Sequence, residues 1–310
     1  MRAVRLTHID GKLPNLALMK LSHWYKERGV GVTFTKSLTR ELTEGDYDSV
    51  YGSSIFQFSG ERTKAFQSQF PEAIVGGTGT PNGVNVESLT GDYEHYDYLI
   101  YPDFKWSIGF TQRGCRLKCK FCVVPKKEGK PRSVNTIHDI WRGEPHPKNI
   151  VLLDNDFFGQ ENWRDRINEI VDGGFKVNFT QGINIRMITD ETAAAIARVK
   201  YHNRNFTARR LHTAWDNLKD EERFFDGVDR LEAAGVRPNN LVVYMLIGFD
   251  PAETWERILH RFHKMTDRNL RPYPMVYDMA RRDLRQFQRW VIRRYYHYCT
   301  WDEYQQKVKR

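Results

Sequence analysis

The sequence predicts an α/β protein with parallel sheets, on two observations. Short apolar runs typical of buried strands alternate with amphipathic helical stretches along most of the 310 residues. Hydrophobic residues make up 40% of the chain, as in a globular protein, and no run approaches the roughly 18 uncharged apolar residues of a membrane helix. No apolar segment of signal-peptide length follows Met1, so we expect a cytoplasmic protein without a membrane partner.

The first part of the chain, residues 1–95, alternates strands and helices. The predicted strands are 3–6, 30–34, 49–51 and 73–75, and the helices are 15–28 and 61–69. This order predicts a small Rossmann-like α/β domain. Its last strand runs into a glycine-rich loop, 76–83, which either lets a ligand approach the backbone or only forms a turn.

Six β/α steps are predicted in the second part, residues 96–277. Their strands are 107–111, 149–154, 175–180, 211–215, 241–247 and 274–277, with helices at 161–172, 190–199, 217–234 and 252–266. Six steps are fewer than the eight of a closed barrel, so we predict a partial (β/α)6 TIM-like barrel.

The last segment, residues 278–310, is predicted to be one terminal helix rich in Arg, Trp and Tyr. Residues 271–310 contain ten Lys or Arg against four Asp or Glu, a net charge of +6. The whole chain carries +9, so the excess is concentrated here. It indicates either a phosphate-binding surface or a solvated helix face.

Three of the four cysteines, Cys115, Cys119 and Cys122, form a C-x3-C-x2-C loop. Four cysteines are too few for a disulfide scaffold, and their clustering points to metal. Three thiolates on a short loop suit a [4Fe-4S] cluster that keeps one iron open; structural zinc is the alternative, but it usually takes four ligands. Cys299 is left over, either as a buried unreactive thiol or as a hydrogen donor or nucleophile.

The segment 114–122, GCRLKCKFC, resembles the signature of the radical S-adenosylmethionine (SAM) superfamily, in which an aromatic residue, here Phe121, precedes the third cysteine. The resemblance implies that the three cysteines hold the cluster, that SAM binds the open iron, and that its reductive cleavage gives a 5′-deoxyadenosyl radical. An electron donor such as a flavodoxin or ferredoxin is implied as a partner. Nearly the full length resembles uncharacterised phage and bacterial radical SAM proteins, through runs such as 15–22, 178–182 and 289–291.

The resemblance also implies that SAM-binding groups lie where the barrel strands end. A carboxylate after the second strand suits the SAM ammonium, an arginine after the third suits its carboxylate, and an acid after the fourth suits the ribose. The alternative is ordinary polar loops. The predicted cofactor-binding residues are Phe121 in the cysteine loop, Gly248 at the end of the fifth strand, where it would touch the adenine, and, after the second, third and fourth strands, Asp154, Asn155, Asp156, Gln181, Arg186 and Asp216, with His212 on the fourth strand.

The first unit looks like a shortened cobalamin-binding domain, because residues 76–80 occupy the place of that fold's glycine-rich loop. The D-x-H-x-x-G motif that supplies a histidine to cobalt is absent, since His8 is followed by Ile9, Asp10 and Gly11. The sequence therefore argues against cobalamin and favours a unit that covers the barrel mouth or binds substrate.

Three functions remain open at this point. The leading hypothesis is radical modification of a nucleic acid or nucleotide, since arginines of the tail would contact phosphates and its aromatic residues would stack on bases. The second is radical modification of a peptide or small metabolite. The third is an iron-sulfur or zinc protein without catalytic activity.

Overall fold

The computed structural model describes residues 2–80 and 83–309 and is a mixed α/β structure with parallel sheets. The chain divides into two compact units, Met1–Lys105 and Trp106–Arg310. No helix in the described part is long and apolar enough to cross a membrane.

The division between the units falls after Lys105 rather than after residue 95. Asp97 explains the difference, because its carboxylate accepts hydrogen bonds from Ser22 Oγ and Lys26 Nζ, both at 2.6 Å, and so ties the segment beyond residue 95 to the first unit. The C-terminal segment belongs to the second unit.

The first unit contains one parallel sheet of four strands in the order β2-β1-β3-β4. Apolar side chains of β1 pack against the first helix and form part of a small core. The elements are β1 (Ala3–His8), α1 (Leu16–Lys26), β2 (Gly31–Thr35), β3 (Ser49–Ser53), α2 (Gly60–Gln69), β4 (Ile74–Gly76) and α3 (Glu87–Thr90).

Glycines of the loop after β4 pack tightly against neighbouring backbone. A side chain at Gly77, whose φ is +101°, would collide with the carbonyl of Ser54, and one at Gly79 would collide with Phe56. These glycines are therefore explained by backbone packing. Pro81 and Asn82 of the predicted loop lie outside the described residues.

The second unit contains two parallel sheets and a short antiparallel pair. The elements are β5 (Ser107–Gly109), β6 (Gln112–Arg113), α4 (Val124–Glu128), β7 (Arg132–Ser133), α5 (Ile137–Ile140), β8 (Asn149–Leu152), α6 (Trp163–Asp172), β9 (Lys176–Phe179), α7 (Asp190–Arg198), β10 (Lys200–Tyr201), β11 (Leu211–Ala214), α8 (Glu221–Ala233), β12 (Leu241–Ile247), α9 (Trp255–Asp267), β13 (Arg271–Val276), α10 (Arg282–Ile292) and α11 (Trp301–Lys309). The sheets have the orders β10-β9-β8-β5 and β11-β12-β13, and β6 pairs with β7.

Alternate residues of these strands face a large core that the helices cover. In β12, Leu241, Val243, Met245 and Ile247 are buried in this core, while the intervening residues are only half-buried. Because side chains of a strand alternate between the two faces of a sheet, one face packs against the helices and the other is half-buried.

The prediction of one terminal helix is wrong, because the segment forms two helices, α10 and α11. Arg294 adopts a left-handed conformation with φ of +58° and ends the first helical stretch. Thr300 begins the next one, since its hydroxyl accepts from Glu303 N–H and its own N–H donates to the Glu303 carboxylate at 2.7 Å. The turn allows Trp301 to pack against Trp290 in the core.

Candidate functional site

The three clustered cysteines lie on the loop between β6 and α4, and a glycine sets its first turn. Gly114 has φ of +84°, and a side chain there would collide with the carbonyl of Lys130. Each of the three thiols is half-buried. The loop is thus a defined structure that presents three sulphurs from eight consecutive positions, 115–122.

Each of the three sulphurs is approached by a hydrogen-bond donor. Leu117 N–H donates to Cys115 Sγ at 3.4 Å, and the Arg186 guanidinium approaches Cys119 Sγ at 4.0 Å. Burial raises the pKa of Cys122, and the backbone N–H of Val124 opposes that rise. Donors at sulphur stabilise the thiolate, which is the form that ligates metal.

Burial also raises the pKa of the Cys115 thiol, and Cys119 and Cys122 act on it in the same direction. Three thiolates would therefore repel one another unless cations lie between them. Among the described residues, no three His, Cys, Asp or Glu side chains converge to hold a single metal ion. A [4Fe-4S] cluster does not require convergence on one point, because each thiolate binds a different iron. The donor set fits such a cluster.

Asp156, which follows β8, contacts the cysteine loop through Arg116. Its carboxylate makes a two-point ion pair with Arg116, at 2.7 Å to Nε and 2.9 Å to Nη2, and accepts Arg116 N–H at 3.1 Å. Because Arg116 directly follows Cys115, this contact positions the first ligand of the loop. Asp156 was predicted as a cofactor-binding residue, and the structure shows its carboxylate paired with Arg116.

Glu128 at the end of α4 is a second anchor of the loop, which the sequence analysis missed. Its carboxylate accepts from Gly114 N–H at 3.0 Å and Asn155 Nδ2 at 3.0 Å, and pairs with Arg113 at 3.2 Å. Asn155, predicted to bind cofactor, is therefore engaged with this glutamate. The available signal was charge, since Glu128 is the one acidic residue in the basic stretch 113–132.

Asp154, also predicted to bind cofactor, is buried between the ends of β5 and β8. It accepts from Thr111 N–H at 2.8 Å, Gln112 N–H at 3.3 Å and the Thr111 hydroxyl. Burial raises the pKa of Asp154 to about 7, against the opposing effect of these donors. The carboxylate thus links two strands rather than facing an open space.

We expect Asp154→Asn to change the pH dependence of stability. Between about pH 4 and pH 7 the folded protein holds a proton on Asp154 that the unfolded chain has lost, so wild-type stability falls as the pH rises through this window. Relative to the variant, the decline should approach about 1.4 kcal/mol per pH unit at most. Urea unfolding at several pH values measures it, with Asp226→Asn at an exposed position of α8 as control. Parallel curves for wild type and Asp154→Asn would contradict the assignment.

The predicted residues after β9 have different environments. Arg186 donates to Asp220 Oδ2 at 2.8 Å and lies beside Cys119, so it brings positive charge to the cysteine loop. Gln181 is exposed, and its side chain has no hydrogen-bond partner among the residues the structure describes. Both terminal nitrogens of Arg186 are therefore engaged, whereas the side chain of Gln181 has no partner in the described part of the chain.

Asp216 and Gly248 lie where β11 and β12 end, and a buried arginine joins them. Asp216 Oδ1 accepts from Leu246 N–H at 3.0 Å, and burial raises the pKa of its carboxyl. Gly248 N–H donates to Glu253 at 2.6 Å. Arg261 from α9 donates to Trp215 O and Leu246 O, both at 3.0 Å, and pairs with Glu253. Arg261 therefore positions the ends of both strands.

An aromatic contact joins the cysteine loop to the ends of β12 and β13. Phe121 packs edge-to-face on Phe249 with ring centroids 5.4 Å apart, and Phe249 packs on Tyr277 at 4.9 Å. Phe249 was not among the residues that the sequence predicted at the site. Phe121 and Tyr277 stay partly exposed, at 36% and 56%. This side of the loop offers an apolar surface to a ligand.

In the sheet β11-β12-β13, the face turned away from the helices carries His212 beside two tyrosines. The ring of His212 stacks on Tyr244 at 5.5 Å, and Tyr273 packs edge-to-face on Tyr244. Burial lowers the pKa of His212, and its Nδ1 has no hydrogen-bond partner among the described residues. This face combines stacking surface with a neutral polar ring.

The aromatic residues of the C-terminal segment are mostly in the core. Trp290, Trp301 and Tyr304 are buried, and they pack with Phe262 and Phe287 of the same unit. They do not offer the free stacking surface that the sequence suggested. Cys299 is half-buried, and its thiol donates to Tyr295 O at 3.6 Å.

Comparison with known proteins found no matching family model, and no curated protein or solved structure gave a significant match.

Proposed function

We propose that this chain is a radical SAM enzyme that holds one [4Fe-4S] cluster on Cys115, Cys119 and Cys122. The observation that carries the proposal is the environment of these thiols: three half-buried sulphurs on one loop, each approached by a donor. SAM bound at such a cluster would supply hydrogen-abstraction chemistry once an external donor has provided one electron, and the three cysteines would hold the cluster.

The chain's own side chains divide into those that hold the loop and those that meet ligand. Asp156 and Glu128 anchor the cysteine loop through Arg116 and Gly114. We assign Gln181 and the positive charge of Arg186 to the SAM carboxylate, the second carboxylate oxygen of Asp216 to the ribose, and the ring of Phe121 to the adenine.

We also propose that the two parallel sheets of the second unit form one partial barrel. Each sheet follows chain order, and the connection after β9 reaches β11, because Ile183 N–H donates to His212 O at 2.8 Å and Thr213 Oγ donates to Ile183 O at 3.1 Å. In such a barrel the face with His212 and Tyr244 points inward, below the cysteine loop, and lines the substrate cavity.

The substrate proposed is a nucleic acid, because two basic surfaces lack acidic partners. The lysine rim, defined as Lys118, Lys120, Lys126 and Lys130, is exposed around the cysteines, and none forms an ion pair with a described residue. The arginine stripe, defined as Arg282, Arg285, Arg289 and Arg293, follows one exposed face of α10, also without ion pairs in the described chain. The spacing of three or four residues places these positive charges side by side on the helix, where they repel one another. Bound phosphates would reduce this repulsion.

We expect the arginine stripe to set the salt dependence of nucleic-acid binding. For a single strand, log K falls with log salt by about 0.7 per phosphate contact, so Arg285→Gln/Arg289→Gln should reduce the slope by about 1.4. Fluorescence anisotropy with a labelled oligonucleotide at several salt concentrations measures this. The control Arg223→Gln/Arg237→Gln removes two exposed arginines outside α10 and should leave the slope unchanged. Equal slopes for both double variants would refute the substrate class but not the radical chemistry.

The enzyme class has its own test. Protein reconstituted anaerobically with iron and sulfide, reduced with dithionite and given SAM should release 5′-deoxyadenosine. Electron paramagnetic resonance of the reduced cluster detects SAM binding. An intact, reduced cluster that neither binds SAM in this measurement nor cleaves it would overturn the proposal. A reduced flavodoxin or ferredoxin should replace dithionite as the electron donor in the same assay. We place the reaction in the cytoplasm, where cysteine thiols stay reduced.

A further inference from the structure

Two arginines flank the start of the central strand in the sheet β11-β12-β13. Arg210 directly precedes β11, and Arg271 is the first residue of β13. β12 lies between these strands and runs parallel to both, with Leu241 opposite Leu211 and Val242 opposite Arg271. Arg210 and Arg271 therefore lie on either side of β12, at the end where its chain enters the sheet.

The two side chains meet the same short segment just before β12. Arg210 Nη1 donates to Asn240 Oδ1 at 3.4 Å, and Arg271 Nε donates to Asn239 O at 2.6 Å. Because Asn239 and Asn240 are neighbours in sequence, these hydrogen bonds hold the two guanidinium groups close to each other. Neither arginine is fully buried, so part of each side chain is accessible from solvent.

A third arginine, Arg294, joins them from the turn after α10. This helix packs on β13, where Gln288 Nε2 donates to Pro274 O at 2.8 Å. Burial lowers the pKa of Arg271, and the charges of Arg210 and Arg294 lower it further. A pKa responds in this way to like charges that lie close by. The three residues, called the arginine cluster from here on, therefore bring three positive charges to one place.

No carboxylate of the described chain neutralises the arginine cluster. The acceptors of Arg210 are Asn240 Oδ1 and Arg209 O, and the acceptor of Arg271 is Asn239 O. The side chain of Arg294 is exposed and has no hydrogen-bond partner among the residues that the structure describes. Arginine does not lose its proton in proteins, so the repulsion within the cluster persists until an anion binds.

The arginine cluster lies far from the cysteine loop within the second unit. The seven residues of β12 span about 20 Å, at about 3.3 Å per residue. The cluster is at the start of this strand, whereas Phe249, which follows its other end, packs on Phe121 of the cysteine loop. A ligand of the arginine cluster is therefore bound separately from a ligand at the cysteines.

We propose that the arginine cluster binds a phosphate group at a second site, separate from the cysteine loop. Several guanidinium groups without carboxylates suit a compact anion, because each presents parallel N–H donors to pairs of phosphate oxygens. The phosphate belongs either to a free nucleotide or to a nucleic-acid backbone bound along the arginine stripe, whose last member, Arg293, adjoins Arg294. The two sources share the same chemistry at the arginine cluster.

Calorimetric titration of the full chain in phosphate-free buffer tests the proposal, with pyrophosphate, ADP and a short single-stranded oligonucleotide as probes. We expect Arg271→Gln to weaken binding about 10- to 100-fold, because it removes charge-assisted hydrogen bonds. Arg294→Gln should weaken it about 3- to 5-fold, since this side chain is more exposed. Arg223→Gln, at an exposed position of α8, is the matched control and should bind like wild type.

The same titrations distinguish the two sources of phosphate. An oligonucleotide that displaces ADP identifies a nucleic-acid backbone as the ligand, whereas ADP binding that the oligonucleotide does not displace identifies a nucleotide. The stripe variant Arg285→Gln/Arg289→Gln should keep its affinity for pyrophosphate, because it leaves the arginine cluster intact. Loss of pyrophosphate binding in the stripe variant, with unchanged binding in Arg271→Gln, would place the site elsewhere and overturn the proposal.

Thermal unfolding separates ligand binding from a structural role of Arg294. Without a probe, Arg294→Gln should unfold at the same temperature as wild type or higher, because it removes one of three like charges. With pyrophosphate, wild type should gain more in unfolding temperature than the variant.

Two results would contradict the phosphate site. One is the absence of binding by all three probes at millimolar concentration. The other is equal affinity in wild type, Arg271→Gln and Arg294→Gln. Neither measurement requires a bound iron-sulfur cluster, so the radical chemistry under Proposed function is tested separately.

Discussion

Cys119→Ala should bind no intact cluster and release no 5′-deoxyadenosine above background. Each thiolate of a three-cysteine site binds a different iron, so loss of one leaves an iron without its protein ligand. Arg186 would then face no thiolate, since its guanidinium lies 4.0 Å from Cys119 Sγ. Iron and sulfide content, the visible absorption of the cluster and product release are measured together after anaerobic reconstitution.

Cys299→Ala is the matched control, because it removes the one other thiol of the chain. Cys299 contacts Tyr295 O in the C-terminal segment, so the variant should keep its cluster and its activity. Equal loss of iron in both variants would contradict the assignment of the cluster to residues 115–122. A Cys119→Ala protein that keeps full iron and sulfide would do the same.

Arg261→Met is expected to cost about 3–5 kcal/mol of the free energy of unfolding. The methionine leaves the Glu253 carboxylate buried without its cation, and the side chains of this pair are only 2% and 10% exposed. It also removes the donor that holds Trp215 O and Leu246 O, so the ends of β11 and β12 lose a shared anchor. Urea unfolding measures the loss.

Two further variants separate the buried charge from a general effect of substitution. Arg257→Met removes an exposed arginine of the same helix, whose guanidinium donates to Ala252 O at 2.9 Å and to no other residue that the structure describes, and should cost less than about 1 kcal/mol. Adding Glu253→Gln to Arg261→Met should restore part of the stability, because it removes the unpaired charge. A double variant less stable than Arg261→Met would contradict this account.

The candidate site was predictable where the signal was local. The spacing of the three cysteines and the aromatic residue before the third are visible in nine consecutive letters, and the structure presents these thiols on one loop. The partners of the loop were not predictable. Asp156 pairs with Arg116 across 40 positions of sequence, and only the adjacency of β5 and β8 brings them together. Carboxylates after a strand look alike in sequence whether they bind a ligand or anchor a neighbouring loop.

By itself, the sequence determined the α/β class, with strands such as Leu241–Ile247 at the predicted positions, because hydrophobic periodicity is a local property of the chain. Tertiary structure alone decided two other matters. The C-terminal segment forms two helices because the turn at Arg294 lets Trp301 reach the core. The glycine-rich loop packs on the backbone after β3. Each depends on which groups meet across long stretches of sequence, and packing and hydrogen-bond partners are properties of the folded chain.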